Sequence, residues 1–261
     1  MRGWLVLAAI STMTTYQHHF VDLPSGMIVG LLALVLFPRD PSSEAARRRQ
    51  LSAAYFTGAL AAASVGFRIG GAAWLLLWPA LSLLFVSGIY WKGTADGFRK
   101  TNGRIVQPLR LLLGPYLAAA RLNSIWWTRR DAAKEFSSGV WIGGLPQAQG
   151  MSSIVDLTAE LIFEGAGENY RCVPMLDLLS PSAAQLDAAV SAINELSGSR
   201  PTLVCCALGY SRSATAAVAW LVASGESKSV ELAVARLQRL RPRTRLSEAH
   251  RARLAEWAAL K

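Results

Sequence analysis

Residues 204–214 read VCCALGYSRSA, and the fold turns on how this stretch is taken. A short apolar strand, TLVCC, ends in two adjacent cysteines. Gly209 stands three residues past the second, and a run of small residues from Ser211 to Ala223 reads as a helix. Strand, turn and helix in that order make an anion site. Backbone N–H groups of residues 207–212 can ring an oxyanion, and the helix start adds positive potential. Gly209 supplies the left-handed turn that folds the loop back. Spacing then selects the cysteine. Six positions beyond Cys206 is Arg212, whose planar fork can hold two oxygens of a phosphoryl group. Six beyond Cys205 is Ser211, and six beyond Cys172 is Leu178. Cys206 is therefore the candidate nucleophile, since amides and a guanidinium around a thiol favour the reactive thiolate. Cys205, one residue back on a strand, should face the other side of the sheet.

The segments around this loop alternate in character. GVWIGGL, SIVDL and YRCVPML read as short strands. Ser182–Leu196 reads as a helix, opened by a capping box of Ser182 and Gln185, with Leu186, Val190 and Ile193 on one face. Ser229–Leu240 and Ser247–Leu260 read as closing helices. The alternation predicts an α/β layered domain with a central sheet flanked by helices. Asp156 reads as a structural residue at a strand end, and Asp187 as a solvent-facing helix residue.

The first third of the chain differs. Of 261 residues 52% are hydrophobic, and residues 1–91 hold more than their share. Phe20–Phe37, Leu51–Phe67 and Gly70–Trp91 each approach the ~20 residues needed to cross a bilayer. An all-α transmembrane region is thus expected before the α/β domain. The division is 1–91 for the membrane region, 92–136 for a juxtamembrane linker and 137–261 for the catalytic domain. Residues 105–127 are broken by Pro108 and by Gly114–Pro115. Arg110, Arg121, Trp126 and Trp127 in this stretch fit either a segment lying among lipid headgroups or a linker packed on the soluble domain. The formal net charge of +10 is compatible with nucleic acid, an anionic membrane surface or topology-setting loops. With apolar spans present, loops flanking a bilayer account for it, and no nucleic-acid partner is expected. Arg47–Arg49 on one side of the spans, with Lys92, Arg99, Lys100, Arg104 and Arg110 after them, outweigh Arg68 alone on the other. The catalytic part is therefore expected in the cytoplasm, under a cell membrane taken as a bacterial inner membrane. Three cysteines are too few for a disulfide framework and suit that reducing side. The basic run Arg236, Arg239, Arg241, Arg243 and Arg245 reads either as a strip resting on the anionic leaflet or as solvated helix ends.

CALGYSRS resembles the C-x5-R-[ST] signature of the cysteine-dependent dual-specificity and tyrosine phosphatases. The resemblance spans about residues 137–258 and includes GVWIGG, VDLT and VPMLDLLSPS. It implies Cys206 as nucleophile, Arg212 as phosphate clamp, Asp177 as general acid and Ser213 as the residue that eases thiolate departure. It also implies a phosphate-binding loop of Ala207, Leu208, Gly209, Tyr210, Ser211 and Arg212, with no metal and no cofactor. One residue departs from the family's pattern: Cys205 stands where a His usually precedes the nucleophile. The substrate implied is a phosphorylated protein, phosphotyrosine first and phosphoserine or phosphothreonine second. A phospholipid or small phosphate at the membrane is the alternative. A phosphate-holding module without turnover is a third reading, against which the intact Cys206, Arg212 and Asp177 speak. A second resemblance lies near the start. In STMTTYQHHFVDLPSG, His18 and Asp22 are similar to the S-R-x5-H-x3-D motif of type-2 phosphatidic acid phosphatases, with Ser11 and Thr12 in the S-R places. That family's two earlier motifs are missing, so residues 1–91 are expected to be the C-terminal remnant of such a membrane domain, serving as an anchor.

Overall fold

The structure, a computed structural model, describes residues 43–198 and 200–261. The expected span Phe20–Phe37 and the His18–Asp22 motif lie outside the described residues. The first helices are α1 (Glu44–Ile69) and α2 (Leu77–Lys92), joined by a 3-10 turn at Gly71–Leu76. They run antiparallel. Ser52 Oγ donates to the Ser87 carbonyl at 2.9 Å and Ser87 Oγ to the Ser52 carbonyl at 2.8 Å. The helices are close at Gly58, where an added Cβ would sit in van der Waals contact with Leu83 at 3.4 Å. Gly71–Lys92, 22 residues, is the one helical stretch among the described residues long and apolar enough to cross a membrane. Leu51–Phe67 lies within α1, where Ser52, Thr57, Gly58 and Ser64 dilute its apolar character. The expected set of spans therefore reduces, among the described residues, to one candidate.

Next come a two-stranded hairpin, β1 (Lys100–Thr101) and β2 (Arg104–Ile105), and helices α3 (Gln107–Leu112) and α4 (Gly114–Thr128). Pro108 and Pro115 fall in the first turns of α3 and α4. Proline loses no hydrogen bond there and its fixed φ suits the helix. The prolines that break the pattern of 105–127 thus start helices. This stretch is packed on its neighbours. Phe98, Ile105, Leu109, Leu113 and Leu117 share a buried cluster with Val86, Ile89 and Tyr90 of α2 and with Ala159, Leu176 and Leu179. Lys100 adds a buried ion pair. Its Nζ lies 2.6 Å from Asp156 Oδ2 with both side chains out of solvent, and it donates to the carbonyl and hydroxyl oxygens of Thr158. Tyr170 donates to the same carboxylate at 2.7 Å. The structural role read for Asp156 takes this form.

The main sheet has β3 (Lys134–Ser137), β4 (Val140–Gly144), β5 (Ser153–Thr158), β6 (Tyr170–Met175) and β7 (Thr202–Cys206). Its order is β3-β4-β7-β5-β6, with β3 antiparallel to β4 and the other pairs parallel. Helices α5 (Ala183–Leu196), α6 (Arg212–Ala223), α7 (Val230–Leu240) and α8 (Glu248–Ala258) complete it. This is an α/β fold with a central mixed sheet flanked by helices. β7 lies in the middle and is buried along its whole length, as parallel strands covered on both faces must be. Val204 and Cys206 join the cluster of α5 and α6, whereas Leu203 and Cys205 join a separate one. The two cysteines therefore do face opposite sides. The capping box of α5 forms as read, with Gln185 N on Ser182 Oγ and Ser182 N on Gln185 Oε1.

Of the basic run at the end of α7 and beyond, Arg236, Arg239, Arg243 and Arg245 are exposed, as solvated helix ends would be, and Arg241 departs from both sequence readings. Arg241 is 5% exposed and donates to the carbonyls of Ala132 and Ile142. Arg243 pairs with Asp131 at 3.0 Å and Arg236 with Glu226 at 3.2 Å. Arg241 thus clamps a loop to the sheet, while Arg236 and Arg243 spend their charge in exposed ion pairs. Asp187 is exposed as expected, and accepts from Trp257 Nε1 at 2.8 Å.

Candidate active site

β7 delivers Cys206 to the carboxyl end of the parallel strands, where α/β sheets place their ligands. The loop that follows closes over the thiol. Gly209 N donates to Cys206 Sγ at 3.2 Å, with Gly209 at φ +78°. Any side chain at this position would also collide with the sheet. Its Cβ would lie 2.5 Å from the carbonyl carbon of Gly143 and 2.9 Å from Gly144 N. Gly143 and Gly144 pair with Cys205 and Cys206 in the β4–β7 register. The glycines of GVWIGG and of the loop therefore require each other. Ser213, one residue into α6, has its Oγ 3.4 Å from Cys206 Sγ.

Arg212 is 1% exposed, at the first position of α6. Its Nη1 donates to Glu160 Oε2 at 2.9 Å and to the Met175 carbonyl at 3.0 Å. Its Nη2 donates to Glu160 Oε1 at 2.7 Å and lies 3.2 Å from Asp177 Oδ1. Its Nε, buried too, has no hydrogen-bond partner among the described residues. Burial alone would raise the Glu160 carboxyl, but the guanidinium holds it below its ordinary value. Burial would lower Arg212, yet Glu160 and then Asp177 keep it well above its ordinary value. The structure thus gathers Cys206, Arg212, Ser213 and Asp177 at one place.

The rest of the loop is fastened by residues remote in sequence. The Ala207 carbonyl accepts from Ser124 Oγ of α4. Tyr210 donates to Asp131 and accepts from Arg243 Nη1 at 3.2 Å. Ser211 Oγ lies 3.2 Å from His250 Nε2, whose ring also meets Ser247 Oγ at 2.7 Å. Burial holds this imidazole below its ordinary value, which favours the neutral form. Leu208 is half-buried. Cys205 is packed opposite Asp156 in the β5–β7 register. Burial first, and then Asp156, push its thiol up. Its side of the sheet also holds the buried Lys100–Asp156 ion pair.

Asp177 sits at the rim, its side chain 42% exposed. The loop carrying it is held from α1 and α2. Tyr90 donates to the Asp177 carbonyl at 3.2 Å, and Ser180 N donates to Glu44 Oε1 at 3.0 Å. Leu178 takes φ +62°, a strained conformation for a branched residue that persists only where surroundings enforce it. Sequence reasoning missed Glu160, Ser124, His250, Tyr90 and Glu44. Only Glu160 carried a local signal, as an acid just past the apolar strand SIVDLT at its carboxyl end. Among the described residues no group of three or more His, Cys, Asp or Glu is placed to hold a metal ion.

Glu160→Gln tests the clamp. Removing one partner of a buried pair costs about 3–5 kcal/mol, and the amide keeps shape but not charge, so a loss of about 3 kcal/mol at pH 7 is expected. A depressed carboxyl contributes stability that is present above its unfolded value and lost as pH falls through its folded one. The stability gap between protein and variant should therefore shrink below pH 4.5, the ordinary value for this group. Thermal unfolding in detergent at both ends of that range measures it. Equal stability at pH 7 would show that the pair contributes nothing.

Residues 145–226 match the model of a family described as "Polymorphic toxin system, DSP-PTPase phosphatase", which supports a phosphatase domain in this part of the chain. Solved structures that resemble the chain include Tk-PTP in its active form, 25% identical with a TM-score of 0.45, covering 50% of this chain and 98% of that one. Human DUSP28 is 19% identical with a TM-score of 0.43, covering 49% and 96%. PTPMT1 in complex with PI(5)P is 18% identical with a TM-score of 0.44, covering 50% and 96%. The comparison with curated proteins found no match.

Proposed function

We propose that the chain is a membrane-anchored, cysteine-dependent phosphatase that hydrolyses phosphate monoesters through a cysteinyl-phosphate. The observation that carries this reading is Arg212, which is fixed by Glu160 through both terminal nitrogens while its buried Nε remains unpartnered beside the Cys206 loop. A guanidinium so held offers an edge to a phosphoryl group at no cost in side-chain ordering.

In this mechanism the Cys206 thiolate attacks phosphorus while the bond to the leaving oxygen breaks, and Asp177 gives that oxygen its proton. The non-bridging oxygens are met by Arg212 and by the loop amides, which are oriented before the charge develops. Asp177, now ionised, takes a proton from water as the water attacks the phosphocysteine. The S–P bond breaks, phosphate leaves, and Ser213 donates to the departing thiolate. Protein phosphotyrosine and a phospholipid monoester both suit this chemistry.

Anchoring is supported by the α1–α2 hairpin. Its Glu44 and Tyr90 ends touch the acid loop. Its far end exposes Phe67, Ile69, Trp74 and Leu75. The arginines at 47–49 lie at the catalytic end, which suits a cytoplasmic catalytic domain. The division at 91 and 136 stands as part of this proposal, with 92–136 as the piece that fastens the two ends.

A single-turnover quench of the full chain with an aryl phosphate, followed by peptide mass mapping, tests the reading. One phosphoryl group is expected on the peptide containing Cys206. A phosphoryl group on another residue, or none at any time, would overturn the covalent mechanism.

A further inference from the structure

A cleft of about 460 Å³ runs between α4 and the loop after β5, a volume in the range of small-molecule sites. Its α4 wall is formed by Gly114, Leu117, Ala118, Arg121 and Ser124, and its other wall by Leu161, Ile162 and Phe163. The two ends differ. At one end Ser124 donates to the Ala207 carbonyl, and Glu160, also in the lining, clamps Arg212. At the other end Gly114 abuts Trp78 so closely that an added Cβ would lie 2.8 Å from the indole. The Trp78 Nε1 donates to the Leu111 carbonyl there at 3.0 Å. Trp78 belongs to the helical stretch apolar enough to cross a membrane. From Gly114 to Ser124 is ten helical steps, about 15 Å. The cleft therefore runs from Gly114, which touches the candidate span, to Ser124 and Glu160, which touch Ala207 and Arg212 of the phosphate loop. Its walls are mostly apolar. Arg110 is paired with Glu164, while Arg121 has no acidic partner among the described residues.

We infer that this cleft receives the hydrocarbon part of a membrane-resident amphiphile whose terminal phosphate monoester reaches Cys206. The inference rests on the phosphatase reading and names its substrate class. Apolar walls of this length reward an alkyl chain. The cation of Arg121 suits the anionic head of a ligand entering from a lipid surface. A phosphopeptide would gain nothing from a channel whose far end meets a helix apolar enough to cross a bilayer.

The test uses the full chain in detergent and a series of n-butyl, n-octyl and n-decyl phosphates below their micelle concentrations, beside a phosphotyrosyl peptide and p-nitrophenyl phosphate. Each buried methylene is worth up to about fourfold, so kcat/KM should rise between about twofold and fourfold per methylene. Ala118→Trp places an indole in the cleft from an exposed position on α4 and should flatten this dependence at least tenfold between butyl and decyl phosphate. Arg121→Glu should lower kcat/KM for decyl phosphate relative to p-nitrophenyl phosphate. A chain-length dependence that is flat in the protein, or equally steep in Ala118→Trp, would overturn the inference. So would a phosphotyrosyl peptide whose turnover fell in Ala118→Trp as far as that of decyl phosphate. Loss of p-nitrophenyl phosphate turnover in the unaltered chain would instead sink the phosphatase reading beneath it.

Discussion

Cys206→Ser should abolish hydrolysis of an aryl phosphate, with turnover falling on the order of 10⁴–10⁶-fold, the scale on which a covalent hydrolase loses its nucleophile. The reason is local. The atoms around Sγ are Gly209 N and Ser213 Oγ, both suited to holding a thiolate and neither a base. A serine hydroxyl placed there has nothing to take its proton, so it cannot become a nucleophile at neutral pH. The fold is expected to survive, because the oxygen can keep both hydrogen bonds and the loop glycines are untouched. Cys205→Ser is the matched control. Its side chain packs against the opposite face, beside Asp156, and turnover should remain measurable. Steady-state rates and thermal unfolding of both variants decide between them. If Cys205→Ser were dead and Cys206→Ser active, the loop would have been assigned to the wrong cysteine.

That pair of outcomes was legible in the sequence because it rests on local physics. The cysteine-to-arginine spacing, the alternation of strand sides and the need for glycine at 209 all act within ten residues. The same is true of the α5 capping box. What could not be read depends on distance. Glu160 meets Arg212 across 52 residues, Ser124 meets Ala207 across 83, and Tyr90 reaches Asp177 across 87. No periodicity or spacing encodes such partners. The edge strand β3 escaped for another reason: KEFS alternates too briefly to signal a strand, and it forms because β4 offers it a partner. Arg241 looked like surface charge for the same reason, since nothing nearby in sequence announces the carbonyls of Ala132 and Ile142.

Asp177→Asn should slow turnover by about 10²–10⁴-fold, the usual contribution of a positioned proton donor. Its place supports the role. The Asp177 carboxylate lies 3.2 Å from Arg212 Nη2, so it faces the same phosphoryl group that the guanidinium would hold, and it sits at the open rim where a leaving group must depart. The loop is held there by Tyr90, through the Asp177 carbonyl, and by Glu44, through Ser180, with Leu178 at positive φ. Asparagine keeps the size and the contact but cannot give up a proton. The loss should therefore depend on the substrate. An ester of a strongly acidic phenol leaves as the anion unaided, and the variant should hydrolyse it almost as the unaltered protein does. An alkyl ester, whose alkoxide is a poor leaving group, should suffer the full loss. Plotting log kcat/KM against leaving-group pKa for both proteins gives two lines that diverge as the leaving group becomes more basic. Parallel lines, with the same loss at every pKa, would remove Asp177 as the acid and leave it a partner that merely orients Arg212.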